Sequence, residues 1–106
     1  MTLMFVALST YTKPLDDVDS TRTQHLDWIA QQYESGRLLV SGRQNPAVGG
    51  VIIGRADNMD AFRDLLTDDP FVRAGLAEYH VVEFEPTAAA LDTPGFAAFI
   101  NAGSDR

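Results

Sequence analysis

Two short runs of this chain are apolar at successive positions instead of at alternate ones. Residues 3–8 read LMFVAL, and the segment Gly50–Ala56 begins with GVII. A strand with one face in water alternates apolar and polar side chains, whereas a strand that is covered on both faces does not. Both runs are therefore predicted to be strands of a sheet that is buried on its two faces.

The rest of the chain supplies the elements around these strands. In chain order, the patterns predict a polar loop over 9–19, a helix from an Asp19 or Ser20 cap to about Ser35, strand 37–41, helix Met59–Thr67 and strand 78–84. The order β-α-β-β-α-β is the ferredoxin-like arrangement, an α+β fold with an antiparallel four-stranded sheet. Two helices cover only one face of such a sheet. We therefore expect a homodimer, sheet face to sheet face.

Composition excludes several classes of function. Lys and Arg number 8 against 15 Asp and Glu, a net charge of −7 that argues against binding nucleic acid. The longest apolar run, 3–8, is too short to cross a membrane, and the first residues lack the pattern of a signal peptide. The absence of Cys excludes disulfides and zinc–thiolate sites. We expect a cytoplasmic domain without a metal or other cofactor.

The first helix carries two cationic types of side chain near its apolar face. On a helical wheel, the arc predicted to pack on the sheet comprises Leu26, Ile29, Ala30 and Tyr33. Arg22 falls inside this arc and His25 at its edge, and burying either residue requires a partner. Two interpretations stay open at this point. Either Arg22 and His25 are half-buried structural residues, or they face a ligand pocket.

Residues 69–76 predict a single helical turn that also offers a carboxylate. Asp69 suits the N-cap, Pro70 the first helical position and Gly75 the position after the turn. A carboxylate bonded to one ring nitrogen of His25 would fix the tautomer and make the other nitrogen a better general base. Because a carboxylate has two oxygens, Asp69 can cap the turn with one and bond His25 with the other. Sequence spacing alone does not place Asp69 next to His25.

The end of the second strand offers polar groups for a ligand. Ser41 and Arg43 flank Gly42 in a segment that can line a pocket for an anionic or polar molecule, although its composition is also typical of a simple connection. In a pocket, Arg22, Ser41 or Arg43 would bind an oxyanion. Trp28 and Phe71 would supply apolar wall.

Taken together, these segments resemble the YciI-like, or YCII-related, family over residues 3–86. The resemblance rests on Arg22-x-x-His25-Leu26, GRLL before Ser41-Gly42, GGVII at 49–53 and, most specifically, DPFVxAGL at 69–76 before YHVVEFEP. It implies a dimeric α/β barrel in which His25 and Asp69 are the active-site pair. One branch of the family resembles small cofactor-free enzymes that eliminate chloride from a chlorinated hydroxyquinol.

The chain is predicted to consist of one domain and a C-terminal tail. Residues 1–86 are the predicted YciI-like domain, and 87–106 form a tail with a short amphipathic helix that packs on the dimer. The first candidate is a cofactor-independent lyase or isomerase, dehydrochlorinase-like, that acts on a small molecule through His25 and Asp69. The alternative is a non-catalytic dimeric module that binds a small ligand or serves as an accessory subunit, since a fold does not decide between the two.

Overall fold

Four strands form one antiparallel sheet in the computed structural model, which describes residues 3–88, 94–95 and 98–99. The strands are β1 (Leu3–Tyr11), β2 (Leu38–Arg43), β3 (Gly50–Ala56) and β4 (Ala77–Phe84). Their order in the sheet is β2-β3-β1-β4, and each neighbouring pair is antiparallel. The predicted α+β class and four-stranded antiparallel sheet are confirmed. Most of the predicted tail, 87–106, lies outside the described residues.

The helices are α1 (Leu15–Asp19), α2 (Arg22–Glu34), α3 (Met59–Thr67) and α4 (Pro70–Arg73). Local signals place the start of α3 and α4 correctly, whereas α1 and the start of α2 depart from the prediction. The side chain of Asn58 accepts a hydrogen bond from the Ala61 N–H at 2.8 Å and caps α3. Gly36 and Gly75 have φ of +76° and +71° just after α2 and α4, in the left-handed region that favours glycine.

The predicted polar loop over 9–19 is wrong. Strand β1 continues to Tyr11, and α1 occupies the second half of the segment. The reason is tertiary, because Val18 is fully buried against Phe71 and its neighbours and this packing stabilises a helix of polar composition. The predicted caps of the next helix are also wrong. Helix α2 begins after Thr21, while the Ser20 hydroxyl donates to the Asp17 carbonyl.

The core lies between the helices and alternate residues of the sheet. Phe5 of β1 stacks on Phe62 of α3 at 4.6 Å between ring centroids, and both are fully buried. The predicted apolar arc of α2 is right only at Ile29, which packs against this core. Leu26 is 54% exposed and Tyr33 38%, while Trp28 is buried in the core instead. Trp28 covers more apolar area than Leu26, which favours the observed rotation of the helix.

The opposite side of the sheet is apolar and exposed. Register pairs place on this side a set of residues that we call the open sheet face: Val6, Leu8, Val40, Val51, Ile53, Val82 and Phe84. Val40, Val82 and Phe84 are each exposed by more than two fifths. This is the face that alternation requires to be polar if it stays in water. Within the described residues, no helix has the length and apolar character needed to span a membrane.

Candidate active site

A buried carboxylate holds a histidine ring at the centre of the site. Asp69 Oδ1 lies 2.7 Å from His25 Nδ1, and Asp69 is fully buried while the His25 side chain keeps 13% of its exposure. The two residues come from different elements, since His25 lies one turn into α2 and Asp69 is the cap of α4. The structure therefore brings together the two residues that the sequence singled out as a pair.

Asp69 accepts three hydrogen bonds. Oδ1 accepts both from His25 and from the Phe71 N–H at 2.9 Å, so one oxygen serves the ring and the cap of α4. The predicted division of these two contacts between the two oxygens is wrong, because Oδ2 accepts from the Tyr79 hydroxyl at 2.6 Å. Three donors from α2, α4 and β4 thus hold this carboxylate in one position. With the carboxylate as acceptor, His25 carries its proton on Nδ1. Nε2 is then the ring nitrogen with a free lone pair.

Ring packing fixes the orientation of His25. Its imidazole stacks on Phe71 at 4.1 Å between centroids, with 9° between the planes, and lies 6.0 Å from the Trp28 ring. Tyr11 meets the same Phe71 ring edge-on at 6.1 Å. A ring that is held by a hydrogen bond and by stacking keeps Nε2 in one direction, as a positioned base requires.

Tyr79 is a site residue that the sequence reasoning missed. Burial raises the pKa of its hydroxyl well above the ordinary value, and the charge and hydrogen bond of Asp69 add to the effect. Tyr79 therefore stays protonated and donates to Asp69 over the whole physiological range of pH. Tyr79 lies two residues after Ala77 on β4 and therefore on the helix-facing side of the sheet. The alternation of side chains in 78–84 is the sequence pattern that could have indicated this position.

The raised pKa of Tyr79 predicts a loss of stability at high pH. Unfolded Tyr79 ionises near pH 10, whereas the folded group stays protonated, so the unfolded state gains from each further rise in pH. The parent protein should lose up to about 1.4 kcal/mol per pH unit above pH 10 from this group. Tyr79→Phe should have a lower free energy of unfolding than the parent at pH 8. The difference between the two proteins, measured by urea denaturation, should become smaller between pH 9 and 11.

The half-exposed Tyr33 supplies the control for this titration. Tyr33→Phe removes a hydroxyl that bonds only Ser41 at 2.7 Å among the described residues. This variant shows what the loss of one tyrosine hydroxyl without a contact to Asp69 does to the free energy of unfolding. A Tyr79→Phe variant whose difference from the parent stays constant between pH 9 and 11 would contradict the assignment.

A cavity of about 270 Å³ opens beside the His25 ring. Predicted site residues at its wall are Arg22, His25, Ser41, Arg43 and Phe71. Residues that the sequence reasoning did not select also line it: Ser9, Tyr11, Leu26, Ile29, Gly42, Gly50, Val51, Ile52 and Tyr79. Trp28, the remaining predicted wall residue, packs in the core instead. The volume suits a molecule of about one ring, near the lower end of the range for ligand pockets.

Two hydroxyl groups are held at the cavity wall. Ser9 is buried on β1 and its Oγ accepts from the Gly50 N–H at 2.7 Å, which leaves the hydroxyl hydrogen to be donated elsewhere. Ser41 Oγ lies 2.7 Å from the Tyr33 hydroxyl. These groups give the cavity polar contacts beside its apolar wall.

Two guanidinium groups converge on a carboxylate that the sequence reasoning assigned only to a helix cap. Arg22 donates to Asp19 Oδ1 from Nε at 3.0 Å and from Nη2 at 2.7 Å. Arg43 Nη2 lies 3.4 Å from the same oxygen. Both arginines line the cavity, so its positive charge is concentrated at one side. No group of three or more His, Asp or Glu side chains within the described ranges is arranged to hold a metal ion.

The fold and the site define a small α+β domain with a buried His–Asp pair beside a cavity. A model of the YCII-related domain matches residues 4–85, and the chain belongs to this family. The predicted family is thus confirmed. A search of curated proteins gave no match.

Solved structures of proteins with low sequence identity are similar to this chain. One is 5-chloro-2-hydroxyhydroquinone dehydrochlorinase from Burkholderia phenoliruptrix AC1100 in complex with 2,5-dihydroxybenzoquinone, with 18% identity, a TM-score of 0.65 and coverage of 78% of this chain and 93% of that chain. A cofactor-independent oxygenase from Streptomyces nogalater is 19% identical over 84% of this chain and 96% of its own, with a TM-score of 0.49. The similarity to the dehydrochlorinase concerns the fold alone. The TM-score with the oxygenase is too low to establish a common fold.

Proposed function

We propose that this protein is an enzyme that acts on a small molecule without a cofactor and uses His25 and Asp69 as an acid–base pair. The observation that supports the proposal is the 2.7 Å contact between His25 Nδ1 and a fully buried Asp69, at the wall of a cavity. Positioned pairs of this kind move protons in many enzymes because the carboxylate stabilises the imidazolium that forms.

The proposed reaction begins with proton transfer to His25. Nε2 takes a proton from an acidic O–H or C–H bond of the substrate, and Asp69 stabilises the charged ring. The electron pair of that bond forms a new double bond. In a lyase of the dehydrochlorinase kind, the leaving group then departs as an anion with the electron pair of its own bond. In an isomerase, the electron pair of an adjacent double bond moves to another atom, which takes the proton back from His25. Arg22, Arg43 and Ser41 line the space where negative charge develops.

Proton exchange with solvent tests this function before the natural substrate is identified. We would incubate the protein in D₂O with a panel of small phenols, keto acids and halogenated hydroxyarenes and follow deuterium incorporation and elimination by proton NMR. Turnover of at least one class is expected, with a rate at least tenfold lower in Asp69→Asn, because the amide does not stabilise the imidazolium. Asp68→Asn, the exposed neighbour, is the matched control. Equal rates in Asp69→Asn and the parent would contradict the mechanism.

The alternative function is a non-catalytic module that binds a small ligand, or an accessory subunit. The arginine pair favours this alternative, because Arg22 and Arg43 can hold an anion whether or not His25 acts on it. Saturable binding from the same panel, with neither exchange nor elimination for any compound, would support the binding module over the enzyme.

We further propose that the protein is a homodimer of the ferredoxin-like, α/β-barrel type, joined through the open sheet face. The support is the exposure of Val40, Val82 and Phe84 on one continuous side of the sheet. Exposed apolar side chains of this density are stabilised when a second copy covers them.

A charge on the open sheet face should separate the dimer. Val82 is 45% exposed beside Val6, and Val82→Glu should convert a species of twice 11.6 kDa into the monomer in size-exclusion chromatography with light scattering. Val48→Glu makes the same change at a 50% exposed loop position and should leave the dimer intact. A parent protein that is monomeric at micromolar concentration would contradict the proposal.

A further inference from the structure

The carboxylate of Asp19 lies where two cationic groups of the cavity meet. Its Oδ1 receives both hydrogen bonds of Arg22 and lies 3.4 Å from Arg43 Nη2. Arg22 begins α2, whereas Arg43 ends β2, so these side chains come from separate elements and converge on one oxygen. A position that already satisfies a carboxylate of the chain has the geometry to satisfy a carboxylate of a ligand.

This position is close to the proposed base. The Arg22 guanidinium carbon lies 5.7 Å from the centre of the Phe71 ring, and His25 stacks on the same ring at 4.1 Å. Arg22 and His25 are also three residues apart on α2, which places their side chains on neighbouring positions of the helix surface. A ligand that is bound by both would carry its anionic group about one ring width from the atom that exchanges a proton.

The contacts of Asp19 are of a kind that a ligand can replace. The side chain of Asp19 is 53% exposed and that of Arg43 is 41% exposed. Exposed ion pairs contribute little to stability because water and salt screen them.

The net charge of the protein also bears on this site. A net charge of −7 opposes the entry of an anion, so the two arginines have to attract the anion locally.

We propose that Arg22 and Arg43 bind the carboxylate group of a compact monocarboxylic acid, and that Asp19 occupies this site until the ligand displaces it. The inference deepens the proposed function and rests on it for the role of His25. Asp19 thereby sets selectivity, because a neutral ligand cannot release the arginines from their internal partner and an anionic ligand can.

Equilibrium binding of benzoate tests the inference without turnover. We would titrate ¹⁵N-labelled protein with benzoate, and with benzamide as the neutral isostere, and follow the Arg22 and Arg43 Nε–H signals. Asp19→Asn removes the internal competitor and should bind benzoate about three- to tenfold more tightly. Asp17→Asn is the matched control, since it lies on the same short helix and makes the same change in net charge. Among the described residues, the Asp17 carboxylate has no side-chain hydrogen bond. Asp17→Asn should change affinity less than about twofold.

Further outcomes decide between the inference and its alternatives. Arg43→Gln should weaken benzoate binding and leave benzamide binding unchanged. Equal gains in Asp19→Asn and Asp17→Asn, equal affinity for benzoate and benzamide, or no benzoate binding at tens of millimolar in any variant would overturn the inference. Since none of these measurements requires proton exchange, failure here is distinguishable from failure of the acid–base function.

Discussion

Replacing His25 by Ala is expected to lower turnover about 10²- to 10⁴-fold for whichever compound the exchange screen identifies. The variant removes the nitrogen that takes the proton and leaves the arginines of the cavity in place. KM should therefore change much less than kcat, because the groups that bind an anion remain. The rate is measured by NMR over a range of substrate concentrations that gives both kcat and KM.

His80 provides the matched control for this loss. It is the other histidine of the chain, and its register partner Leu8 of β1 places it on the open sheet face, away from the cavity. His80→Ala should retain nearly full activity. His25→Phe keeps a ring that can stack on Phe71 but has no Nε2, so its inactivity would separate loss of the base from loss of packing on Phe71. Turnover close to the parent rate in both His25 variants would disprove the mechanism.

Replacing Asp69 by Ala is expected to lower the free energy of unfolding by about 3–5 kcal/mol. The change removes the cap of α4 and leaves the Phe71 N–H, the Tyr79 hydroxyl and His25 Nδ1 without their acceptor in a buried position. Domains of this size have about 5–15 kcal/mol of stability, so the loss is a large fraction of the total. Urea denaturation at fixed protein concentration measures it, since a dimer makes the midpoint depend on concentration.

The neighbouring Asp68 separates this effect from a general loss of charge. Its exposed side chain bonds Arg73 at 2.6 Å, and Asp68→Ala should cost less than about 1 kcal/mol. Asp69→Asn should fall between the two Ala variants, because the amide retains an acceptor oxygen and loses the charge. A cost for Asp69→Ala as small as that of Asp68→Ala would show that the network does not stabilise the fold.

Much of the fold was predictable because its signals are local. The caps Asn58 and Asp69, Pro70 at the first helical position and glycines after α2 and α4 act within a few residues of their own position. The apolar runs of β1 and β3 likewise need no distant partner to be recognised as strands. Helix α1 and the rotation of α2 were missed, because the burial of Val18 and Trp28 depends on residues far along the chain.

Sequence and tertiary structure also determine different properties of the candidate site. The sequence by itself determined which side chains were chemically suited to the site, His25 and Asp69 above all, and the family to which the chain belongs. Only the tertiary structure brought these two residues, 44 positions apart, to 2.7 Å, added Tyr79 to the pair and moved Asp19 from a predicted cap to the arginines. The physical reason is that a cap or a strand pattern is specified by neighbours in sequence. Contacts between α2, α4 and β4 depend on how all the elements pack at once.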